Sequence, residues 1–434
     1  MIDCFYDENP YNKHYNDTNL LGINVYDNTV ILDFFDTISY ICYTDFYTKR
    51  QEDLDNTRKL TIEIPVNNLR DFKKIKEPIE RLLTYMTNGE KWSINFKKQN
   101  KKKRLERKQM ILDNKEYNSI ALLSGGLDSM AGACVEKENA TLFVTYASND
   151  IEKNNARIIY NNLIKNINNS HILVDKVNCE EEAHYTERTR SLIFIASCLI
   201  YADYYKISTI KIYENGIMSL NPKFNFSRRV TKTTNQRTLY MLNEILDILG
   251  INIKVENPFK YKTKKEIIEL IPEEFNEMIL KGTRTCSKNS GIIHFRNKNI
   301  GNFHCGICIA CMLRQIGMIN NARKDTEYLL PINLYNYSDI LNYENKISKD
   351  RNRTKDIAAA KYKFNEKRSL IEYYKSYYIN IINKSIFNYL DIKNEYYLDD
   401  NYLTEITEML NRFSKELEIY FKEVGVEYEK YRKK

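Results

Sequence analysis

The sequence lacks the apolar segments that are typical of membrane and exported proteins. No apolar run in the 434 residues is long enough to span a bilayer, and the longest, 192–202, is interrupted by Ser197. The first residues, Met1 to Glu8, are acidic and contain no apolar signal core. We therefore expect a cytoplasmic protein with no membrane role, in which 192–202 forms a buried helix.

Glycine and proline are scarce, with 13 and 7 residues respectively. From residue 326 to the end the only ones are Gly425 and Pro331. Because these two residues are the strongest helix breakers, their scarcity and the apolar periodicity of stretches such as 402–420 predict a helical C-terminal region, 326–434. Tyrosine is abundant, with 34 residues, as are Asn, Lys and Ile. This skew matches AT-rich coding and is not evidence of base stacking.

The cysteines do not form a disulfide framework. There are nine, an odd number; five are scattered, and the other four follow a C-x18-C-x2-C-x2-C pattern that suits a metal. These four are Cys286, Cys305, Cys308 and Cys311. Four thiolates form a closed tetrahedral site, which predicts structural Zn²⁺ in a reducing compartment; an iron–sulfur cluster is the alternative. We expect the neighbouring His304 to be a bystander.

Positive charge is concentrated in one short segment. The formal charge is +8, and Lys97–Lys108 contains eight basic residues and one acid, so the rest of the chain is close to neutral. A basic run between domains is usually a solvated linker, which we place at 96–116. The alternative is attraction to phosphate or RNA, although nucleic acid is not the expected partner.

The hydrophobic pattern divides the chain into four segments. Residues 1–95 alternate in hydrophobicity at 60–66 and are helical at 71–85, which predicts a small α+β accessory domain before the basic linker. Residues 117–325 alternate between strands and helices, which predicts an α/β domain with a doubly wound parallel sheet. The predicted strands are 119–123, 141–145, 172–177, 209–213 and 251–255, and the predicted helices are 128–136, 154–167, 186–204 and 235–249.

The first of these strands runs into a glycine-rich loop and then into a helix. The loop consists of Ser124, Gly125, Gly126, Leu127, Asp128 and Ser129. The glycines allow a phosphate to approach the backbone, the helix N-terminus offers unpaired N–H groups, and the serines supply hydroxyl donors. Asp128 caps the helix or helps to hold Mg²⁺. We expect Asp128→Ala to abolish turnover and to leave the fold intact, since the loop lies at the surface end of the sheet.

This Ser-Gly-Gly-x-Asp-Ser string resembles the PP-loop of the ATP pyrophosphatases. Together with the cysteine cluster it resembles the QueC-like 7-cyano-7-deazaguanine synthases over 117–325. Further matching pieces are Arg190 in Thr-Arg-Ser-Leu-Ile-Phe-Ile-Ala, Pro258 followed by Thr-Lys-Lys-Glu at 263–266, and a Cys-Gly-x-Cys-x-x-Cys-x-Leu-Arg string ending at Arg314. The pattern departs from the family at Tyr146-Ala-Ser-Asn149, in the segment Glu214–Pro222 and in the long first cysteine gap.

The resemblance implies a carbon–nitrogen ligase that adenylates the carboxylate of 7-carboxy-7-deazaguanine and joins it to an amine, with ATP, Mg²⁺ and Zn²⁺ as cofactors. It implies that residues 124–129 bind ATP, that Asp128, Ser129 and Lys264 are catalytic, and that Arg190 and Glu214 bind the substrate. The chemistry of the residues independently supports two of these roles, those of Arg190 and Lys264. An arginine in the first turn of a helix opposes the dipole and favours an anionic ligand, and Lys264 at a helix start suits a phosphate. A surface salt bridge is the alternative for both.

The segments outside 117–325 resemble those of longer QueC-like proteins from bacterial anti-phage defence operons. That resemblance implies that the amine belongs to a partner protein, and the tyrosine-rich C-terminal region suggests a docking surface for it. The alternatives are nitrile synthesis from ammonia in queuosine-type biosynthesis, a PP-loop enzyme that modifies tRNA, and a non-catalytic nucleotide sensor. The sequence leaves the oligomeric state open.

Overall fold

A computed structural model describes most of the chain. It describes residues 28–48, 58–99, 115–147, 150–175, 188–220, 232–286, 304–334, 336–347, 353–387 and 400–426. Most of the predicted basic linker, 100–114, lies outside these ranges, as do 148 and 149 of the segment that departs from the family pattern.

The described secondary structure consists of short parallel strands and helices of very different length. The strands are β1 (Lys59–Val66), β2 (Lys91–Lys98), β3 (Ser119–Leu122), β4 (Thr141–Ala147), β5 (Ser170–Asp175), β6 (Thr209–Lys211) and β7 (Lys254–Glu256). The helices are α1 (Thr29–Tyr47), α2 (Leu69–Lys74), α3 (Lys76–Met86), α4 (Leu127–Glu136), α5 (Asp150–Ile159), α6 (Arg190–Tyr204), α7 (Gly216–Leu220), α8 (Gln236–Ile248), α9 (Lys264–Glu269), α10 (Asn276–Gly282), α11 (Ile309–Asn320), α12 (Tyr337–Ile347), α13 (Arg353–Ile382) and α14 (Asp400–Glu423). None of the helices in these ranges combines the length and the hydropathy that crossing a bilayer requires.

The chain forms two compact units. The first contains Met1–Ser124, Gly132–Glu214 and Arg228–Pro258, and the second contains Gly125–Ala131, Asn215–Ser227 and Phe259–Lys434. Each unit combines segments that are distant in the sequence. The two units therefore do not test the four segments predicted along the chain, which stay a prediction. One detail differs at a predicted boundary: β2 runs on to Lys98, so the first two lysines of the basic run belong to a strand.

The first unit contains a five-stranded parallel sheet in the order β5-β4-β3-β6-β7. This confirms the predicted α/β class, and all five predicted strands are present with ends that differ by up to three residues. The order is compatible with a doubly wound sheet, because the chain moves outwards from β3 in one direction and then returns to β6 on its other side. In such sheets ligands bind beyond the carboxyl ends of the strands at this reversal, here after β3 and β6.

The N-terminal segment shares the hydrophobic core of this sheet. Strands β1 and β2 pair in parallel, with Lys59 opposite Lys91, and α2 and α3 supply the crossover that a parallel pair requires. Helix α1 packs on α6, and α3 packs on α8. One cluster of buried side chains runs from Ile31 to Val255. The described residues of the segment 1–95 therefore contribute side chains to the same hydrophobic core as the five-stranded sheet.

A cavity of about 450 Å³ lies in the first unit, away from the carboxyl ends of the strands. Its walls include Asn28, Ser208 and Ile253. Because Ser208 and Ile253 precede β6 and β7, the cavity lies at the amino ends of these strands, where sheets of this kind do not place their ligands.

The described part of the second unit is helical, and several of its tyrosines lie in its core. The fully buried residues Tyr374, Tyr377, Tyr378 and Tyr420 pack with Phe413 and other apolar side chains of α11, α13 and α14. The prediction of a tyrosine-rich docking surface is wrong for these residues. The sequence pattern shows the abundance of tyrosine, whereas burial depends on which helix faces meet.

Buried charges connect the N-terminal segment to the start of α6. Asp45 is fully buried, and its Oδ1 accepts a hydrogen bond of 2.5 Å from Arg58, which also pairs with Glu90. The other oxygen, Oδ2, accepts the backbone N–H groups of Arg188 at 2.7 Å and Thr189 at 3.0 Å. A carboxylate at a helix N-terminus is stabilised by these N–H groups, so Asp45 caps α6 from a distant part of the chain.

We predict that Asp45→Asn destabilises the protein by about 3–5 kcal/mol, because it removes the negative charge that compensates the buried Arg58 guanidinium. Urea denaturation measures the free energy of unfolding. The matched control is Asp71→Asn, an exposed residue paired with Lys74, which should change stability little. Equal, small effects of the two substitutions would contradict a capping role for Asp45.

Candidate functional site

The glycine-rich loop adopts a conformation that requires glycine at one position. Gly125 has a φ of +75°, and its carbonyl accepts the Arg284 N–H at 3.0 Å. Only glycine adopts this left-handed conformation without steric cost. Ser124, which follows β3, is exposed at the carboxyl end of the sheet, and α4 begins at Leu127. The predicted strand, loop and helix are all present in this order.

The hydroxyl of Ser129 is used inside the loop. Ser129 is buried, and its Oγ donates to the Gly126 carbonyl at 3.0 Å, which also accepts the Met130 N–H at 3.0 Å. Of the two predicted hydroxyl donors, Ser124 is therefore the exposed one. The first turn of α4 adds backbone N–H groups beside it.

The carboxylate of Asp128 is bound on both oxygens. Oδ1 pairs with the Lys264 ammonium, and Oδ2 accepts the side-chain amide of Asn215 at 2.9 Å and its backbone N–H at 3.2 Å. The side chains of Lys264 and Asp128 are 3% and 13% exposed, so water screens this ion pair little. The structure thus brings together two of the three predicted catalytic residues in direct contact.

The backbone around Lys264 fixes the direction of its side chain. Thr263 caps α9 in a capping box with Glu266, so Lys264 is the first helical residue. Its stem crosses α11 at Gly317, where an added Cβ would lie 3.0 Å from the Lys264 Cγ and 2.7 Å from the Ile268 Cδ1. A side chain at 317 would push against Ile268 and the Lys264 stem, so glycine at this position lets the two helices approach closely.

Asn215 is a site residue that sequence reasoning missed. It is fully buried, and its Oδ1 accepts the Met218 N–H at 3.0 Å, which leaves its side-chain amide directed at Asp128. The available signal was its position in the polar loop directly after the fourth predicted strand, because such loops line ligand sites in parallel sheets.

The predicted substrate residues belong to the first unit. Arg190 is exposed at the start of α6, and its guanidinium lies over the Phe194 ring at 5.7 Å. Glu214 is half-buried after β6; its Oε2 accepts the Thr234 hydroxyl, and Asn257 bonds its backbone at 2.7 and 3.2 Å. Asn257 is a second residue that sequence reasoning missed. The two predicted substrate residues thus belong to the first unit, while Asp128, Ser129 and Lys264 belong to the second.

The four predicted metal ligands lie together. The sulfur atoms of Cys286, Cys305, Cys308 and Cys311 are within 4.8 Å of one another, and all four residues are buried. Zn–S bonds of about 2.3 Å in a tetrahedron require sulfur atoms about 3.8 Å apart. The Cys305 and Cys311 sulfurs are separated by 3.8 Å. The cluster therefore fits one metal ion such as zinc.

Backbone N–H groups point at three of the four sulfurs, as they do in the short turns that carry metal-binding cysteines. Cys305 N–H points to Cys286 Sγ at 3.4 Å, Ile307 N–H to Cys305 Sγ at 3.4 Å, and Cys311 N–H to Cys308 Sγ at 3.5 Å. Such bonds stabilise thiolates. Burial raises the pKa of the Cys311 thiol well above its usual value, so a bound metal would have to displace its proton.

The turn between Cys305 and Cys308 also requires glycine. Gly306 has a φ of +74°, and an added Cβ would lie 2.4 Å from the Leu330 carbonyl oxygen. His304 is buried outside the cluster, where its Nε2 accepts the Thr285 N–H at 3.1 Å. Its expected role as a bystander agrees with this contact.

Arg314, which ends the cysteine motif, is a structural residue. It is fully buried and pairs with Asp325 at 2.8 Å. It also donates to the Thr283 hydroxyl at 2.9 Å and to the Ile279 carbonyl at 3.1 Å. These bonds connect α11 to the end of α10, so the family-like position is explained by packing within the second unit.

Comparisons of the chain with protein-family models, with curated proteins and with solved structures find no match in any of the three.

We predict that the purified protein carries one zinc ion per chain and that Cys308→Ser loses it. Loss of the metal should lower the melting temperature, since thiolate–zinc bonds contribute on the order of 10 kcal/mol in isolated zinc modules. Elemental analysis and thermal denaturation measure the two effects. Cys134→Ser, outside the cluster, should retain the metal. If elemental analysis finds neither zinc nor iron in protein prepared under reducing conditions, the result would contradict this site.

The ion pair changes the expectation for Asp128. Because Lys264 is buried, Asp128→Asn and Lys264→Met should each destabilise the protein by about 3–5 kcal/mol. Substitution of Asp128 should therefore lower stability as well as turnover, contrary to the expectation from the sequence. The double variant should be more stable than the sum of the two losses, since no unpaired charge remains. Urea denaturation of all four proteins measures this coupling. Additive losses would show that the two charges do not interact.

Proposed function

We propose that this chain is an ATP-dependent carbon–nitrogen ligase of the PP-loop class that adenylates a carboxylate and releases pyrophosphate. The observation that carries the proposal is the position of the Ser-Gly-Gly-Leu-Asp-Ser loop. It leaves the carboxyl end of β3, which lies beside β6 at the reversal of strand order, and leads into the N-terminus of α4. Sheets of this kind bind nucleotides at this position.

The residues of the loop support phosphate binding. The exposed hydroxyl of Ser124 and the N–H groups of the first turn of α4 are donors for phosphate oxygens. Lys264 is a cation held at a fixed position by Asp128 and suits the charge of a triphosphate. Mg²⁺ bound to ATP would neutralise phosphate charge; Asp128, the carboxylate of the loop, would hold the ion only by exchanging a contact with Lys264 or Asn215.

The substrate that we propose is 7-carboxy-7-deazaguanine. Support comes from the resemblance of the motifs, and from Arg190, an exposed guanidinium at a helix start that suits a carboxylate. An adenylated carboxylate reacts with whichever amine is held close to it, so positioning determines the product.

The amine that we propose belongs to a partner protein, as the resemblance to the longer defence-operon proteins suggests. The burial of Tyr374, Tyr377, Tyr378 and Tyr420 weakens the argument from a tyrosine docking face, so this part of the proposal depends mainly on the resemblance. Nitrile formation from ammonia and modification of tRNA are the alternatives.

We predict pyrophosphate and AMP release when the protein is given ATP, 7-carboxy-7-deazaguanine and an amine. Ser124→Ala should reduce the rate about a hundredfold, because it removes a donor to a charged phosphate. Ser208→Ala, an exposed serine before β6, is the matched control and should keep the rate. The proposal fails if no combination of substrate and amine releases pyrophosphate, or if the two variants behave alike.

Mass spectrometry of the products distinguishes the acceptors. A mass gain on a protein encoded beside this chain would support the protein acceptor, whereas conversion of the carboxylate to the nitrile by ammonia alone would favour ordinary deazaguanine biosynthesis. Modification of tRNA with a steep dependence on salt would favour the RNA alternative.

A further inference from the structure

One face of the C-terminal helix α14 contacts both segments that hold the Asp128 carboxylate. Met409, Arg412 and Glu416 are spaced by three and four residues, so they lie on the same side of the helix. The two segments are the start of α7, which follows Asn215, and the start of α9, which carries Lys264. All of these residues belong to the second unit.

Met409 packs directly on the backbone next to Asn215. A Cβ added to Gly216 would lie 2.2 Å from the Met409 sulfur and 2.4 Å from the Lys260 carbonyl oxygen. The Gly216 N–H donates to the Lys262 carbonyl at 2.8 Å. The Asn215 segment is therefore enclosed between α14 and the loop that leads to α9.

Arg412 holds the capping box of α9. It forms an ion pair of 2.7 Å with Glu266 and donates to the Tyr261 carbonyl at 2.9 Å. Glu266 in turn accepts the Thr263 N–H at 2.8 Å. Arg412 thus supports the glutamate that closes the first turn of the lysine helix.

Glu416 reaches the residue directly before Lys264. Its Oε1 accepts the Thr263 hydroxyl at 2.5 Å, and its own backbone carbonyl accepts the Asn320 side-chain amide at 3.1 Å. The Glu416 side chain is buried, and its Oε2 has no hydrogen-bond partner among the described residues. A buried carboxyl group with one unbonded oxygen costs free energy of folding, which the contact with Thr263 offsets only in part.

We propose that Met409, Arg412 and Glu416 are positioning residues, through which α14 holds Asn215 and Lys264 in place around Asp128. This inference rests on the proposed function for its catalytic meaning. It gives the C-terminal region a task within the catalytic centre itself, whereas the sequence suggested an attached docking region.

The burial of the Glu416 carboxyl group makes this arrangement sensitive to pH. Burial raises the pKa of Glu416 to about 8; the Thr263 hydroxyl and Lys265 oppose this shift, and Glu266 and Glu269 add to it. Because the pKa is raised in the folded state, the contribution of this group to stability is present below its ordinary pKa. It is lost as the pH rises through about 8. The contacts of α14 with the start of α9 should therefore weaken in alkaline solution.

The test compares the full-length protein with Glu416→Gln, Glu416→Ala and Glu408→Gln at pH values below and above 8. Glutamine keeps an acceptor for Thr263 and does not titrate, whereas alanine removes the acceptor. Glu408 lies on the exposed side of α14, so Glu408→Gln is the same chemical change away from the contact. The measurements are the rate of pyrophosphate release and the hydrogen-exchange protection of residues 215–219 and 263–268 without ATP.

We expect the wild type and Glu408→Gln to lose turnover and protection of both segments as the pH rises through about 8. Glu416→Gln should keep both at high pH, and Glu416→Ala should lower turnover about tenfold at every pH, as loss of one hydrogen bond predicts. Equal pH profiles for the wild type and Glu416→Gln, or normal protection in Glu416→Ala, would overturn the proposal. Hydrogen exchange tests the positioning even if the wild type releases no pyrophosphate, an outcome that sinks only the proposed function.

Discussion

The buried ion pair between Lys264 and Asp128 is the constraint around which the second unit is arranged. Moving both charges out of water costs several kcal/mol each, and only good geometry and further hydrogen bonds offset this cost. Asn215 supplies bonds to the second carboxylate oxygen, and the capping box fixes the start of the lysine helix. Gly317 leaves room for the lysine stem. The pair is thus held from the loop after β3, the loop after β6 and two helices.

Helix α11 joins this ion pair to the cysteine cluster. It begins directly after Cys308, whose sulfur accepts the Cys311 N–H, and it passes Lys264 at Gly317. Nine residues of helix span about 14 Å, so the cysteine cluster and the lysine are connected through a single rigid element. A metal ion bound by the four cysteines, with no open coordination position, would in this way fix the position of Lys264 through the helix that it anchors.

Local features of this protein could be predicted from its sequence, and long-range pairings could not. Strand and helix positions, the loop at 124–129 and the cysteine cluster depend on periodicity and spacing within a few residues. By contrast, Asn215 and Glu416 act on residues 87 and 153 positions away in the chain. No local pattern encodes such a pairing, because it arises only when helix faces meet. The same reason explains why Tyr374, Tyr377 and Tyr378 of α13, which looked like part of a docking face, are core residues.

The close packing of Gly216 against Met409 restricts how this protein can diverge. A Cβ at 216 would meet the Met409 sulfur at 2.2 Å and the Lys260 carbonyl oxygen at 2.4 Å. The sulfur belongs to a flexible side chain that can turn away, whereas the backbone carbonyl cannot move without displacing the loop that leads to α9. A shorter residue at 409 would therefore not admit a side chain at 216, although 193 positions separate the two in the chain. Divergence is thus one-sided: the helix position can change while the loop position has to stay glycine.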